Sequence, residues 1–452
     1  MQDVEMIEFD LLDQEELEAI KHSAQNLLNR IFTSKAADGT WNIRESIWPV
    51  IEIKKVGVQA GLVLLPLSRI GGSEGYGGGR VMIGYFVDCS KNERILPSRP
   101  MVVKITQPQL KANKLHDILE SEQSAAMSIR PFVLNKDSFA IPLHFDGADN
   151  PDGYSVLWAP FSSSRWIWDH RRKSRLSLEI YDLWQLLKKE EDMDIQRVNF
   201  STSGHDACKI ISDVFKLLMP FHKGGKSDPV PPFKRYITQE YRNDLKRIEG
   251  PWVKKWKHIW GTEVEKYTND LNVTWVNPFW VLEKIRLLPE VPLYCGAIHG
   301  DLHPKNIVLS ENKLPFIIDF EFASDQSHIT KDFVLMECNF RFVALSPNIP
   351  YETLATMSQW IGFDDTNIPD YDNEYCHQRI KLISTLREIA RDTFPKETNW
   401  DIEYILPLFL TALSLLRFMS NFDNQTAARV CILSMANYLE AHILPGLESD
   451  PT

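Results

Sequence analysis

The chain has 452 residues, with 50 lysines and arginines against 61 aspartates and glutamates, a formal net charge of −11, 44% hydrophobic residues and 25% charged residues. That balance belongs to a folded globular protein of two or three domains at about 150 residues each, and it excludes a disordered chain. The acid excess also excludes a general nucleic-acid binder, whose affinity comes from lysine and arginine neutralising phosphates.

Six cysteines (Cys89, Cys208, Cys295, Cys338, Cys376 and Cys431) are scattered, and no two form a C-x-x-C pair. This argues against a zinc site or a disulfide scaffold and fits a reducing, cytoplasmic setting. Met1–Asp10 is acidic and reads as no secretory signal. The longest near-apolar run, Ile405–Leu416, contains Pro407, Thr411 and Ser414. It falls short of the roughly 20 residues that span a bilayer and reads as a buried helix, so no membrane partner is expected.

In chain order, Leu11–Ile31 carries apolar residues at Leu12, Leu17, Ile20, Leu27, Leu28 and Ile31. This predicts an amphipathic helix, packed on its own domain or docking a protein partner. From Ile47 to Leu157 the period drops to two. Strands are predicted at Ile47–Ile53, Leu62–Leu67, Val81–Val87, Met101–Ile105, Ala140–Leu143 and Tyr154–Trp158, separated by Gly, Pro, Asn and Asp. One helix, Gln109–Met127, interrupts them. Most of Ser162–Glu290 reads as helix and is rich in tryptophan. Trp252, Trp256 and Trp260 recur on one helical face, and Arg165, Arg171, Arg172, Lys173 and Arg175 make a local basic patch. A compact β-rich segment, Val291–Phe320, follows. Helices are then predicted around Tyr351–Trp360, Tyr375–Thr393, Glu403–Met419 and Thr426–Ile443.

The strongest chemical signal is His299-Gly300-Asp301-Leu302-His303-Pro304-Lys305-Asn306, followed by Phe316-Ile317-Ile318-Asp319-Phe320-Glu321. Asp301 and Asp319 lie eighteen positions apart with a hairpin pattern between them. Such a set suits phosphoryl transfer. One carboxylate takes the proton of an attacking hydroxyl, while an amide oxygen and a second carboxylate hold magnesium against nucleotide phosphates.

These residues resemble the catalytic core of the aminoglycoside phosphotransferase and choline kinase superfamily. The resemblance implies an α+β, bilobal protein-kinase-like fold, with a small antiparallel β-sheet N-lobe bearing one helix and a large, mainly helical C-lobe. It implies Asp301 as catalytic base, with Asn306 and Asp319 as magnesium ligands. Through His328, Asp332, Phe333 and Glu337 it extends to the phosphotransferase-like ternary complex associated domains of bacteria. Asp332 resembles the buried aspartate that braces the catalytic loop. His328 is a candidate to bond that same loop.

A nucleotide lobe is then expected upstream. Gly71, Gly72, Ser73 and Gly75, within Ile70–Gly79, are the candidate phosphate-covering turn, although the run does not fit G-x-G-x-x-G-x-V in register with Val81. Lys104 sits inside an apolar strand, which is costly without a partner. The kinase reading pairs it with nucleotide phosphates and with Glu122, favoured over Glu120, on the next helix. Trp158, Ala159 and Phe161 fall where a hinge reads adenine. The expected cofactors are ATP or GTP and Mg2+.

The expected organisation is an N-terminal helical extension over 1–45, a nucleotide-binding N-lobe over 46–161, and a C-lobe over 162–452 with the catalytic loop at 299–306 and an enlarged helical insertion at about 162–290. Lys104 and Asp301 stand 197 positions apart, a long separation for this family. Positions 300 and 303 are glycine and histidine, where protein kinases commonly carry arginine and lysine. Only twelve residues separate Asp319 from Asp332, and no A-P-E follows. That leaves little room for a peptide platform and points to a small hydroxylated acceptor. The rival reading is a kinase-like nucleotide-binding or scaffold module, a pseudokinase or atypical protein kinase, within a multiprotein signalling or defence assembly.

Overall fold

The computed structural model describes residues 12–33, 60–66, 80–88, 100–111, 114–161, 181–189, 204–229, 266–268, 274–310, 313–359, 374–422 and 424–444. The predicted strand Ile47–Ile53, the glycine run Ile70–Gly79, the basic patch Arg165–Arg175 and Trp252, Trp256 and Trp260 lie outside these residues. The chain falls into two compact units. The first holds 1–181 and 305–323; the second holds 182–304 and 324–452.

The first unit opens with α1 (Gln14–Thr33). Asp13 and Glu16 close a reciprocal cap: the Glu16 amide donates to Asp13 Oδ1 at 2.8 Å, and the Asp13 amide donates to Glu16 Oε2 at 3.0 Å. A five-stranded antiparallel sheet follows, built from β1 (Ala60–Pro66), β2 (Arg80–Asp88), β3 (Met101–Thr106), β6 (His144–Asp146) and β7 (Ser155–Pro160), in the order β1-β2-β3-β7-β6. Alternation sorts its residues onto two faces. Leu62, Leu64, Met82, Phe86, Met101, Val103, Ile105, Val156 and Trp158 form one core with Ile20, Ala24, Leu27 and Leu28 of α1. The apolar face of α1 is therefore covered by its own sheet, each buried leucine or isoleucine contributing about 2 kcal/mol. Arg80 Nε also meets Glu16 Oε1 at 3.1 Å.

Two predicted elements differ. The helix expected from Gln109 starts only at Ile118. Gln109–Lys111 (β4) and Lys114–His116 (β5) pair as a small hairpin, and α2 covers Ile118–Ile129. Asp117, with φ −104°, caps the helix and so fixes its start. The run Ala140–Leu143 is not a strand of the sheet. Its Ala140 amide donates to the Ile317 carbonyl at 2.9 Å and its Leu143 amide to the Trp158 carbonyl at 2.7 Å, and the strand begins at His144. The unit is completed by the hairpin Ile307–Leu309 with Pro315–Ile317.

The second unit is mainly helical: Leu183–Lys189, Gly204–Leu218, Pro278–Ile285, Thr330–Cys338, Tyr351–Gln359, Glu374–Thr393, Leu406–Leu415 and Gln425–His442. The predicted helix Glu403–Met419 is divided: a π-helical turn Asp401–Ile405 precedes Leu406–Leu415, and a tighter turn Leu416–Asn421 follows. A short antiparallel sheet places Tyr294–Ile298 between Gly225–Lys226 and Ser324–His328. A buried charge network anchors the helices. Glu337 accepts from Arg341 Nε at 2.7 Å, from Arg387 Nη2 at 2.9 Å and from Tyr404 Oη at 2.7 Å. Burial alone would raise its pKa, but the two guanidiniums outweigh burial and hold the carboxyl at about 2. No described helix is long and apolar enough to cross a membrane. The fold class is α+β, with a small antiparallel sheet in one unit and helices dominating the other.

Candidate functional site

In the first unit Lys104 stands on β3 opposite Val81 of β2 and Leu157 of β7. Its Nζ lies 2.7 and 2.8 Å from the two Glu122 carboxylate oxygens and 3.3 Å from Asp319 Oδ1. Glu122 shares the buried face of α2 with Leu119, Ala126 and Ile129, while Glu120 is exposed. The start of α2 at Ile118 thus sends Glu122, and not Glu120, to the lysine. Burial works against the Lys104 ammonium. The carboxylates of Asp319 and Glu122 overcome that and raise its pKa above lysine's usual range.

Asp319 follows the hairpin strand and has φ +67°, in the left-handed region that non-glycine residues seldom adopt. Strain of this kind collects at functional sites. Asn306 precedes the opposite hairpin strand, and its carbonyl accepts from the Ile318 amide at 3.1 Å. The pairing of Ile307 with Ile317 therefore continues outward, so Asn306 and Asp319 stand one step apart at the open end of the hairpin. The dividing line between the units falls just before Lys305.

In the second unit, strand Tyr294–Ile298 runs directly into His299-Gly300-Asp301. Asp332, fully buried, collects three donors: the His299 amide at 3.0 Å, the Gly300 amide at 2.8 Å and His222 Nε2 at 3.1 Å. Burial raises its pKa, but the hydrogen bond and charge of His222 lead the opposing effects and bring it below the usual carboxylate range. Gly300 has φ +84°, a conformation that admits glycine and penalises the arginine common there in protein kinases. The Asp301 amide donates to His299 Nδ1 at 3.3 Å, so that nitrogen acts as an acceptor. The Asp301 carboxylate lies 3.6 Å from His303 Nε2. His328 Nε2 is engaged by Glu403 and Thr330: it lies 2.5 Å from Glu403 Oε2 and 3.2 Å from Thr330 Oγ1.

The remaining candidates separate. Gly71, Gly72, Ser73 and Gly75 lie outside the described residues. Ala159 pairs with Val102 and so shares the face of Lys104. Phe161 is buried edge-on against Phe316, with ring centroids 6.3 Å apart. Trp158 occupies the opposite face, where it stacks on Phe86 at 5.8 Å and donates from Nε1 to Ser23 Oγ at 2.9 Å. Its side chain serves the α1 core and not the face that carries Lys104. Sequence reasoning missed His222, which lies 110 residues before Asp332, and Glu403. No local pattern marks either one. It also missed Asp117, although Asp followed three residues later by glutamate is a readable helix start.

Residues 202–417, just under half of the chain and spanning the His299–Asn306 motif, match the family described as Ternary complex associated domain 9. No curated protein sequence matches the chain. Among solved structures it is similar to a thermostable mutant of aminoglycoside phosphotransferase APH(4)-Ia, apo form. The identity is 11% over 82% of this chain and 93% of that one, with a TM-score of 0.38. It is also similar to a glucosamine kinase in complex with glucosamine, ADP and inorganic phosphate, at 13% identity over 92% and 82% of the two chains, with a TM-score of 0.39. A ternary complex of the APH(4)-Ia mutant with ADP and hygromycin B gives 11% identity, 83% and 93% coverage and a TM-score of 0.39. The matched family carries the description of the subgroup that the His299–Asn306 motif resembles. The described residues form an α+β fold, and residues 202–417 are similar to a ternary complex associated domain.

Proposed function

We propose that the chain is a phosphotransferase that moves the γ-phosphate of ATP or GTP to a hydroxyl of a small molecule. The observation that carries this reading is Lys104, an ammonium inside a sheet strand, held by Glu122 from one side and reaching Asp319 from 215 positions away in sequence. A cation fixed in this way suits nucleotide phosphates, which are recognised by charge and position. Val102 and Ala159 give the same face an apolar surface for a base.

The residues also fit a magnesium ion. Asp319 offers a carboxylate that is 41% exposed, and Asn306 is an amide one hairpin step away. Mg2+ takes oxygen ligands and ordinarily uses one or two protein groups plus substrate phosphates. When bound, the ion supplies neutralisation of phosphate charge. Asp301 is the proposed base: it orients the acceptor hydroxyl and takes its proton. Gly300 and the amide clamp of Asp332 fix the backbone that presents it. Catalysis is then chiefly positioning and electrostatics.

A second reading, a nucleotide-binding or scaffold module with a protein partner, is favoured by the match to a ternary complex associated domain. The apolar face of α1 is buried on its own sheet, so a partner docking on this helix would read its polar face. One experiment separates the two. The chain is titrated with ATP and Mg2+, or GTP and Mg2+, in a thermal-shift assay, then assayed for turnover against a panel of amino sugars and other hydroxylated acceptors. A shift with turnover that Asp301→Asn removes, while the shift persists, is the expected result. A shift with no turnover on any acceptor supports the module. No shift with either nucleotide sinks both readings.

A further inference from the structure

The helix that supplies Glu122 is tied to the sheet by a second, separate connection. Asp117, almost wholly buried, caps α2: its Oδ1 accepts from the Leu119 amide at 2.9 Å and from the Glu120 amide at 3.4 Å. Its other oxygen, Oδ2, accepts the hydroxyl of Ser155, the first residue of β7. Ser155 is completely buried, and its Oγ accepts in turn from the Ala148 amide at 2.9 Å. Both capacities of the hydroxyl are therefore used, and both carboxylate oxygens of Asp117 are engaged.

The position of this connection gives it meaning. Ser155 faces Thr106 across β3 and β7, two rungs along from the rung that pairs Leu157 with Lys104. Glu122 lies five residues beyond the cap, about one and a half helical turns. One end of α2 is thus fixed to the neighbouring strand within two rungs of the lysine, and that fixes how far along the sheet Glu122 projects. A charge-assisted O–H···O⁻ bond inside the protein is short and directional, which suits it to setting a helix position.

We propose that Asp117 and Ser155 form a clasp that holds α2 where Glu122 meets Lys104, so that the fold itself keeps the ammonium in place. Asp117 and Ser155 are positioning residues that act through Glu122. The structural claim stands on geometry alone. Its consequence for nucleotide binding rests on the phosphotransferase reading above, and the test is chosen to keep the two apart.

Acylation of a lysine requires its neutral amine, so labelling of the full-length protein at pH 9 with an amine-acylating reagent, read by mass spectrometry, reports whether Lys104 keeps its carboxylate partner. Lys216, whose side chain is 67% exposed, is the internal reference. Glu122→Gln defines the reactivity of Lys104 without that carboxylate. Asp117→Asn keeps a good helix cap but replaces the charged acceptor of the Ser155 hydroxyl. The expected result is that Asp117→Asn and Ser155→Ala raise the Lys104 to Lys216 labelling ratio about threefold or more, equivalent to a drop of about half a pKa unit. Ser155→Thr, which restores a hydroxyl, should bring the ratio back toward wild type. An unchanged ratio in both Asp117→Asn and Ser155→Ala overturns the proposal, as does a Ser155→Thr protein as reactive as Ser155→Ala. The labelling needs no nucleotide, so it remains informative even if the chain transfers no phosphate.

Discussion

Lys104 stands between two carboxylates, and removing the lysine or removing Asp319 has different consequences. Lys104→Met leaves Glu122 buried without its cation, a loss on the order of 3 kcal/mol for a broken buried pair. Urea unfolding should show that loss, and on the phosphotransferase reading nucleotide should no longer raise the melting temperature. Asp319 behaves oppositely. Its φ of +67° costs about 1 kcal/mol or more in a non-glycine residue, which glycine would not incur. Asp319→Gly gives up an ion pair that is partly exposed, so its unfolding midpoint should stay close to wild type, while on the phosphotransferase reading transfer should be lost. A large fall in stability for Asp319→Gly would show that the carboxylate is structural and not reserved for a ligand.

At the scale of elements, two glycines set how closely neighbouring segments approach. A Cβ on Gly224 would lie 1.6 Å from the Cys295 carbonyl oxygen, a backbone atom that cannot move without breaking the pairing of Gly225–Lys226 with Tyr294–Cys295. That pairing supports the strand leading into His299-Gly300-Asp301. A Cβ on Gly84 would lie 2.8 Å from Val103 Cγ2 and 3.1 Å from Trp158 Cζ3, both side-chain atoms able to shift. Gly84→Ala should therefore cost about 1–3 kcal/mol, as overpacking does. Gly224→Ala should cost more and reduce any transfer activity along with stability. Denaturant unfolding of the two variants tests the order. The α2 helix adds a further point: its first residue, set by Asp117, decides which glutamate faces the sheet.

For the whole molecule, Glu337 contributes an acid-sensitive part of the stability. Its folded pKa of about 2 lies below the unfolded value of 4.5. The stabilisation is therefore complete above about pH 4.5 and is lost as pH falls toward 2, on the order of 3 kcal/mol in total. Asp332, also shifted downward, acts in the same direction. The melting temperature should fall steeply between about pH 4.5 and 2. In Glu337→Gln it should be lower at neutral pH, because Arg341 and Arg387 lose their buried counter-charge, and its acid slope should be shallower. An unchanged acid slope in that variant would place the acid sensitivity elsewhere.

Much of this protein could be read from neighbouring residues. Alternation over Val81–Val87 and Met101–Ile105 marked two central strands, helical spacing marked α1 and the C-terminal helices, and the ordered His-Gly-Asp…Asn…Asp residues marked the phosphotransferase-like segment. A lysine within an apolar strand announced its own need for a partner. These signals are local, because period, turn chemistry and motif spacing are carried by residues adjacent in the chain. Tertiary structure alone decided that Trp158 turned toward α1 and away from the lysine's face, that Asp332 drew on His222 from 110 residues earlier, and that His328 Nε2 met Glu403. Each of those outcomes depends on which distant segments pack together. Buried polar groups take whatever partner the packing brings within hydrogen-bond reach, and no local sequence pattern encodes that choice.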